Sequence, residues 1–393
     1  MHEEDFVGDA FSTLKLRLGA GLVGNQDGLD FNQFSRREVY AGLGFDGDGT
    51  LIDNLVATTL AGNDNPDLKW ESTLDLSAGI DFGFNNDRLN GSLNFYRKET
   101  SDLLLRRNLA APQAAIPTIF ANLEDGVVIN SGVELGLNYD FVDTEDIGFN
   151  VAFNIAYNDN VVEDLIFDID AGPINGNGLT GAFAQRLSAG QPLFSYYMAV
   201  FTGFDGNGFP TYEDLNGDGV GDPSSDRKFV DKSALPTITS GLSLNFRYKR
   251  FSINTFFNGQ FGQYVYNGTD NAFFTAGGIT IGKNVTEAAI NSGENGAATT
   301  AVSTRFLEKG DFIRMQNASI SYNWPMSGDG LFDSLRLSLT GQNLFLITDY
   351  SGLDPEISVN TGSVNASNIP TAGIDYAAFP RARTFTLGVN ATF

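Results

Sequence analysis

The sequence predicts an all-β fold, an antiparallel transmembrane β-barrel segment of about ten long membrane strands, on three observations. Apolar residues recur with a period of two over spans long enough to cross a bilayer. The connections between those spans alternate short and long. The composition, with 45 Gly, 33 Phe and 13 Tyr in 393 residues, suits strands and turns.

Leu14 to Val23 forms the first expected strand. Leu74, Leu76, Ala78, Ile80, Phe82 and Phe84 then alternate with Thr73, Asp75, Ser77, Gly79, Asp81 and Gly83, which puts one oily and one polar face on a strand. Asn85-Asn86-Asp87 turns the chain, and Leu89, Gly91, Leu93 and Phe95 continue the pattern against Asn90, Ser92, Asn94 and Tyr96. A second hairpin runs Val133, Leu135, Leu137, Tyr139 and Phe141, turns near Asp143 to Asp146, and returns through Phe149, Val151, Phe153, Ile155 and Tyr157. A third joins Leu242, Leu244, Phe246 and Tyr248 to Phe251, Ile253, Thr255 and Phe257 across Lys249-Arg250. A fourth sets Ile320, Tyr322 and Trp324 against Leu335, Leu337 and Leu339, with Pro325 and Gly328 in the turn. The last strand carries Phe385, Leu387, Val389, Ala391 and Phe393 on one face.

Long Gly-, Asn- and Pro-rich segments separate the hairpins at roughly 24–69, 106–121, 158–237, 266–305 and 348–381. Barrels of the bacterial outer membrane have short periplasmic turns and longer extracellular loops, so the alternation assigns a side to every connection. Extra hairpins are expected inside the loops near Phe34 to Phe45 and Tyr196 to Tyr212. Tyr139, Tyr157, Tyr248 and Trp324 fall where an interfacial aromatic girdle belongs. A soluble β-sandwich or solenoid adhesin would also show period-two strands, but its polar faces would carry Lys and Glu rather than the small residues and Asn seen here.

No run approaches the roughly 18 apolar residues of a membrane helix, and Met1-His2-Glu3-Glu4-Asp5 is unlike a secretory signal. The net charge of -24 excludes nucleic acid as a partner, because phosphate binding needs clustered Lys and Arg. With no cysteine and a lone histidine, His2, the chain lacks the side chains of a thiol nucleophile, a His-based triad or a thiolate zinc site. Asp75, Asp81, Glu134 and Asp140 are the carboxylates left, and they sit on polar strand faces that need polar residues anyway. The expectation is no enzyme.

Several phrases resemble the C-terminal barrel part of the SusC/RagA family of TonB-dependent outer-membrane transporters of Bacteroidetes-type bacteria. They include Ser12 to Arg17, Asn65-Pro66-Asp67-Leu68-Lys69-Trp70-Glu71, Asn130-Ser131-Gly132-Val133-Glu134 and Asp214-Leu215-Asn216-Gly217-Asp218-Gly219. Gly341-Gln342-Asn343-Leu344-Phe345, Gly352-Leu353-Asp354-Pro355-Glu356 and Phe379-Pro380-Arg381-Ala382-Arg383 complete the set in the family's order. The resemblance covers nearly the whole chain and implies location in the cell outer membrane, amid lipid and lipopolysaccharide. It also implies TonB-dependent uptake of glycans or oligopeptides with a SusD-like lipoprotein as lid. The family's signal peptide, plug and earlier strands have no counterpart in this sequence, so residues 1–393 read as one truncated barrel portion, and coupling to the TonB complex would pass through the missing plug. By the same resemblance Phe385, Leu387, Val389 and Phe393 look like the signal read by the barrel-assembly machinery. Ten strands of that geometry are expected to form an open half-barrel, and pairing of Leu14–Val23 with Phe385–Phe393 would contradict this. The alternative is a secreted or surface adhesive β-protein with a calcium-stabilised loop and no transport.

No cofactor is expected, apart from a possible structural calcium. Asp214, Asn216, Asp218, the Val220 carbonyl and Asp222 follow a spacing that wraps oxygens around calcium, although Ser225 stands where an EF-hand has its bidentate Glu and Asp226 follows it. A solvated acidic turn explains the same residues. Asp46-Gly47-Asp48-Gly49 reads as structure only. Phe273, Phe274, Tyr350 and Tyr376 are candidate substrate contacts, since flat rings stack on sugars and peptides; they would equally pack on the lid or on one another.

Overall fold

The computed structural model describes residues 11–26, 37–45, 48, 51–60, 65–108, 118–123, 125–174, 179, 182–326, 332–357 and 371–392. Ten strands pair in chain order as one antiparallel sheet. They span Thr13–Asn25, Glu71–Phe84, Leu89–Ser101, Val127–Asp143, Ile147–Asp164, Ile238–Tyr248, Phe251–Phe261, Phe312–Trp324, Ser334–Thr348 and Thr384–Thr392. These are the ten that the alternation identified. Among the described residues the first and tenth strands pair with no common partner and not with each other, so the sheet is open.

Register follows from the period of two. A one-residue slip would exchange the faces of a strand, and here apolar meets apolar across the whole sheet. Leu16 stands opposite Ile80, Ile80 opposite Leu93, and Leu93 opposite Leu135. On the other half a row runs Phe149, Phe246, Ile253, Ile320, Leu339 and Leu387. Leu339 is 51% exposed and Leu387 77%. A continuous band of this kind is foreign to a water-facing surface and is what lipid contact requires.

Short turns close one end of the sheet. Asn85, Asn86 and Asp87 all take positive φ, which Asn and Asp tolerate better than other side chains, and Lys249 does so in the two-residue link from Tyr248 to Phe251. Rings crowd this rim: Tyr139 to Phe141 at 4.4 Å, Phe141 to Phe149 at 5.2 Å, Phe251 to Tyr322 at 4.6 Å and Tyr322 to Trp324 at 5.8 Å. Tyr157 departs from the expectation, because its strand continues to Asp164 and leaves it inside the strand. Phe141 is the extra residue of a bulge, and a second bulge sets Asn343 and Leu344 against Gln316. Gln316 is in turn the extra residue against the seventh strand, where Phe256 faces Asn317 and Phe257 faces Met315, and there the outward face switches from Ile313 and Met315 to Ala318 and Ile320.

The buried core lies in the connections. Ile169–Ile174, Ala182–Leu187, Ser195–Met198 and Lys228–Ser233 form a four-stranded sheet, while Leu307–Lys309, Tyr264–Asn267 and Ile374–Asp375 form a three-stranded one. Ile174, Ala184, Tyr196, Met198, Tyr266, Phe306 and Ile374 pack together between them. The Tyr196 hydroxyl lies within hydrogen-bond distance of the carbonyls of Tyr264, at 2.9 Å, and Gly373, at 2.8 Å. Gly373 has φ 62°, and a Cβ there would meet the Ala234 Cβ at 2.6 Å, so only glycine serves.

Of the expected loop hairpins, the first is Arg37–Phe45 paired with Leu51–Leu60, and Phe34 lies outside the described residues. The second is narrower than expected: Phe201–Phe204 pairs with Pro210–Tyr212, while Ser195–Met198 joins the four-stranded sheet. The hairpin of Leu103–Asn108 with Thr118–Leu123, and the short helices Gly268–Phe273, Gly277–Thr280 and Glu287–Asn291, were not expected.

Candidate functional site

The inner face of the sheet is polar and cross-linked. Arg17 donates to Asp81 at 2.9 and 2.7 Å and to Asn94 at 2.6 Å, and Lys98 lies 3.7 Å from Asp75. Arg17, Asp75, Asn94 and Lys98, with Tyr96, Asn130 and Glu134, line a concave surface enclosing about 550 Å³. Asparagine side chains continue the lining, Asn150 to Asn138 and Asp140 at 2.8 Å each, Asn245 to Asn150 at 3.2 Å, and Tyr96 to Asn158 at 2.7 Å. Amides and hydroxyls hold one another in place while keeping donors and acceptors toward the lumen, a surface suited to solutes rich in hydroxyl or peptide groups. Asp75, Asp81, Glu134 and Asp140 therefore lie on the lumen face expected of them.

At the loop end, three of the phrases quoted above converge on one buried group. Arg314, 1% exposed, donates to Asn343 at 2.6 Å and to Asp354 at 2.5 Å, and Asp354 is 2% exposed. Glu356 lies 3.5 Å from Arg314 and 3.0 Å from Arg381, and Asn343 donates to the Arg381 carbonyl at 2.7 Å. The eighth and ninth strands, the loop after the ninth, and the approach to the tenth are thus tied through one guanidinium. Asn343 reaches this position from the bulge, at φ 53°. Sequence reasoning quoted Asn343, Asp354 and Arg381 but missed Arg314, which lies in an ordinary strand pattern.

The loop aromatics divide. Phe273 stacks on Tyr376 with centroids 5.6 Å apart. Tyr350, in contrast, is buried and donates to Asp375 at 2.7 Å, so its hydroxyl is engaged within the fold. Asp375 also accepts from Thr269 at 3.0 Å, and Glu308 accepts from Asn267 at 2.9 Å and Ser351 at 2.7 Å. Two loops are held together by this cluster.

Asp270 stands beside it, and burial, then the charges of Glu308 and Asp375, push its carboxyl up to about 6. Between the ordinary aspartate value of 3.8 and about 6 the folded state holds a proton that the unfolded chain releases, so stability falls as pH rises through this window. The D270N variant is expected to melt higher than the parent at pH 7 to 8 and equally below pH 4, measured by thermal unfolding. A melting difference that grows toward low pH would reverse the sign.

The acidic loop is closed by a residue at its rim. Asp226, fully buried, accepts backbone N–H bonds from Asp222 at 2.8 Å and from Leu215 and Asn216 at 3.1 Å each. The Asp222 N–H foremost, then those of Leu215 and Asn216, hold its carboxyl below the usual range. Asp214 accepts from Gly217 and Gly219, Asn216 from Asp218, Asp218 from Val220, and Asp222 from Ser224. The side chains of the calcium spacing thus serve as turn acceptors, with Gly217 and Gly219 at positive φ. Among the described residues no three His, Cys, Asp or Glu side chains are grouped to hold a metal ion. Of the Asp46–Gly49 turn only Asp48 is described, and of the terminal face Phe385, Leu387 and Val389 point outward while Phe393 lies outside the described residues.

A ten-stranded antiparallel sheet, oily outside and polar inside, with short turns at one rim and folded loops at the other, defines an outer-membrane β-barrel protein. Residues 31–344 match the family described as TonB dependent receptor-like, beta-barrel, and the chain belongs to that family, which places it in the outer membrane. It is similar to TonB-dependent receptor P3 of Formosa agariphila, 29% identical over 429 residues, covering 100% of this chain and 41% of that one. It is also similar to TonB-dependent receptor SusC of Bacteroides thetaiotaomicron, 29% identical over 417 residues, covering 100% and 39%. Among solved structures, the RagAB peptide importer in its 'closed-closed' state shares the fold with a TM-score of 0.79 at 23% identity, covering 100% of this chain and 42% of that one. The chain therefore spans about two fifths of the length of these relatives.

Proposed function

We propose that these residues form part of the barrel of a SusC/RagA-type importer that takes up glycans or oligopeptides. The lumen face carries the reading: a lining of Asn, Ser, Tyr and paired charges offers many hydrogen-bond groups and little net charge, as extended polar solutes require. Further strands would complete the sheet, because unpaired edges are costly in lipid. A SusD-like lipoprotein would cover the loop end, and the TonB complex would supply energy through a plug. Phe385, Leu387, Val389 and Phe393 would present the terminal strand to the barrel-assembly machinery. No bond-making chemistry is assigned, so the reading is transport without catalysis.

Uptake of fluorescent oligosaccharides and oligopeptides by cells carrying or lacking the gene tests this. The expected result is gene-dependent uptake of one class that stops when the proton gradient is collapsed. Equal uptake in both strains would reject it.

The acidic loop supports a second, smaller reading, a weak structural calcium bound by Asp214, Asn216, Asp218, Val220 and Asp222. Five oxygen-bearing positions lie within nine residues, and millimolar calcium fills even weak sites. Terbium luminescence should then appear on the parent and be lost in the D214N/D218N variant; an equal signal from both would place the ion elsewhere.

A further inference from the structure

The strongest unassigned feature is a cleft of about 430 Å³ in the loop layer, within the size range of small-molecule sites. Helix Gly268–Phe273 supplies Phe273 to one wall, helix Gly277–Thr280 supplies glycine backbone and Thr280, and residues 296–300 form the far side. The Phe273 ring is backed by Tyr376, and the Lys283 ammonium stands 5.7 Å from its centroid.

Charge singles this cleft out. Lys283 is the sole ionisable group lining it, and among the described residues it forms no ion pair. Glu294, the carboxylate nearest in sequence to the far wall, is held by the two terminal nitrogens of Arg305, at 2.7 and 2.9 Å, and by the Ala276 N–H. In a chain of net charge -24, an unpaired cation beside an aromatic wall favours an anionic ligand. The geometry points to a subsite for carboxylate-bearing nutrient fragments, with the carboxylate on Lys283 and the ligand body against Phe273. An acidic sugar and the C-terminus of a peptide present the same group. The inference rests on the importer reading for its physiological ligand, but the binding it asserts does not require transport.

The protein purified from outer membranes in detergent would be titrated calorimetrically with digalacturonate, with trialanine, with trialanine amide and with cellobiose. Binding of digalacturonate or trialanine is expected, with the other two at least about tenfold weaker, the size of one charge-assisted contact. K283Q should remove that preference and K283R keep it. Binding of digalacturonate alone would assign an acidic sugar, and of trialanine alone a peptide terminus. Equal binding of charged and neutral probes, no binding at all, or an unchanged preference in K283Q would overturn the subsite. Carboxylate binding without cellular uptake would instead reject the importer reading and leave the subsite standing.

Discussion

Replacing Arg314 by alanine is expected to cost about 3–5 kcal/mol of stability, because it strands the buried Asp354 carboxylate without its cation. The loss should be local as well as large. Arg314 ties the ninth strand through Asn343, the following loop through Asp354 and Glu356, and through them the Arg381 segment that leads into the tenth strand. Limited proteolysis of R314A should therefore open sites in 349–357 and 371–383 before the sheet unfolds. Removing both partners in R314M/D354L should recover much of the loss, since apolar substitution of a buried pair is often near neutral. A single-variant cost below 1 kcal/mol would contradict the geometry.

The second large effect concerns the outer face. L339R places a guanidinium in the apolar row between Ile320 and Leu387 and is expected to cost about 2–4 kcal/mol at mid-membrane. S338R, one residue away, faces the lumen and should cost little. Unfolding in lipid vesicles by urea would measure both. On a soluble β-protein the ranking fails, because an exposed Leu exchanged for Arg usually changes stability by less than about 0.5 kcal/mol.

The membrane strands were legible in the sequence because lipid outside and water inside impose a strict period of two, and Ile80, Leu93 and Leu135 carry it without interruption. Short turns were legible from Asn85-Asn86-Asp87 and Lys249-Arg250 for the same local reason. The loop layer was not. Tyr196, Tyr266, Phe306 and Ile374 come from distant Gly- and Asn-rich segments, and no local period marks residues whose partners lie far along the chain. Arg314 escaped notice because its meaning comes from a bulge on the neighbouring strand and a loop forty residues on. In the acidic loop, spacing drew attention to Asp214 and Asp218, and Asp226, just past the motif, closes the turn.

Because the chain contains no cysteine, single cysteines can be introduced along residues 335–340 of the ninth strand without background. Labelling of the membrane-embedded protein with a water-soluble maleimide tests the central claim, that one face of this sheet meets lipid and the other a wet lumen. Cysteine at Arg336, Ser338 and Thr340 is expected to react, while cysteine at Leu335, Leu337 and Leu339 stays protected until detergent is added. Equal reaction at all six positions would put both faces in water and contradict the barrel.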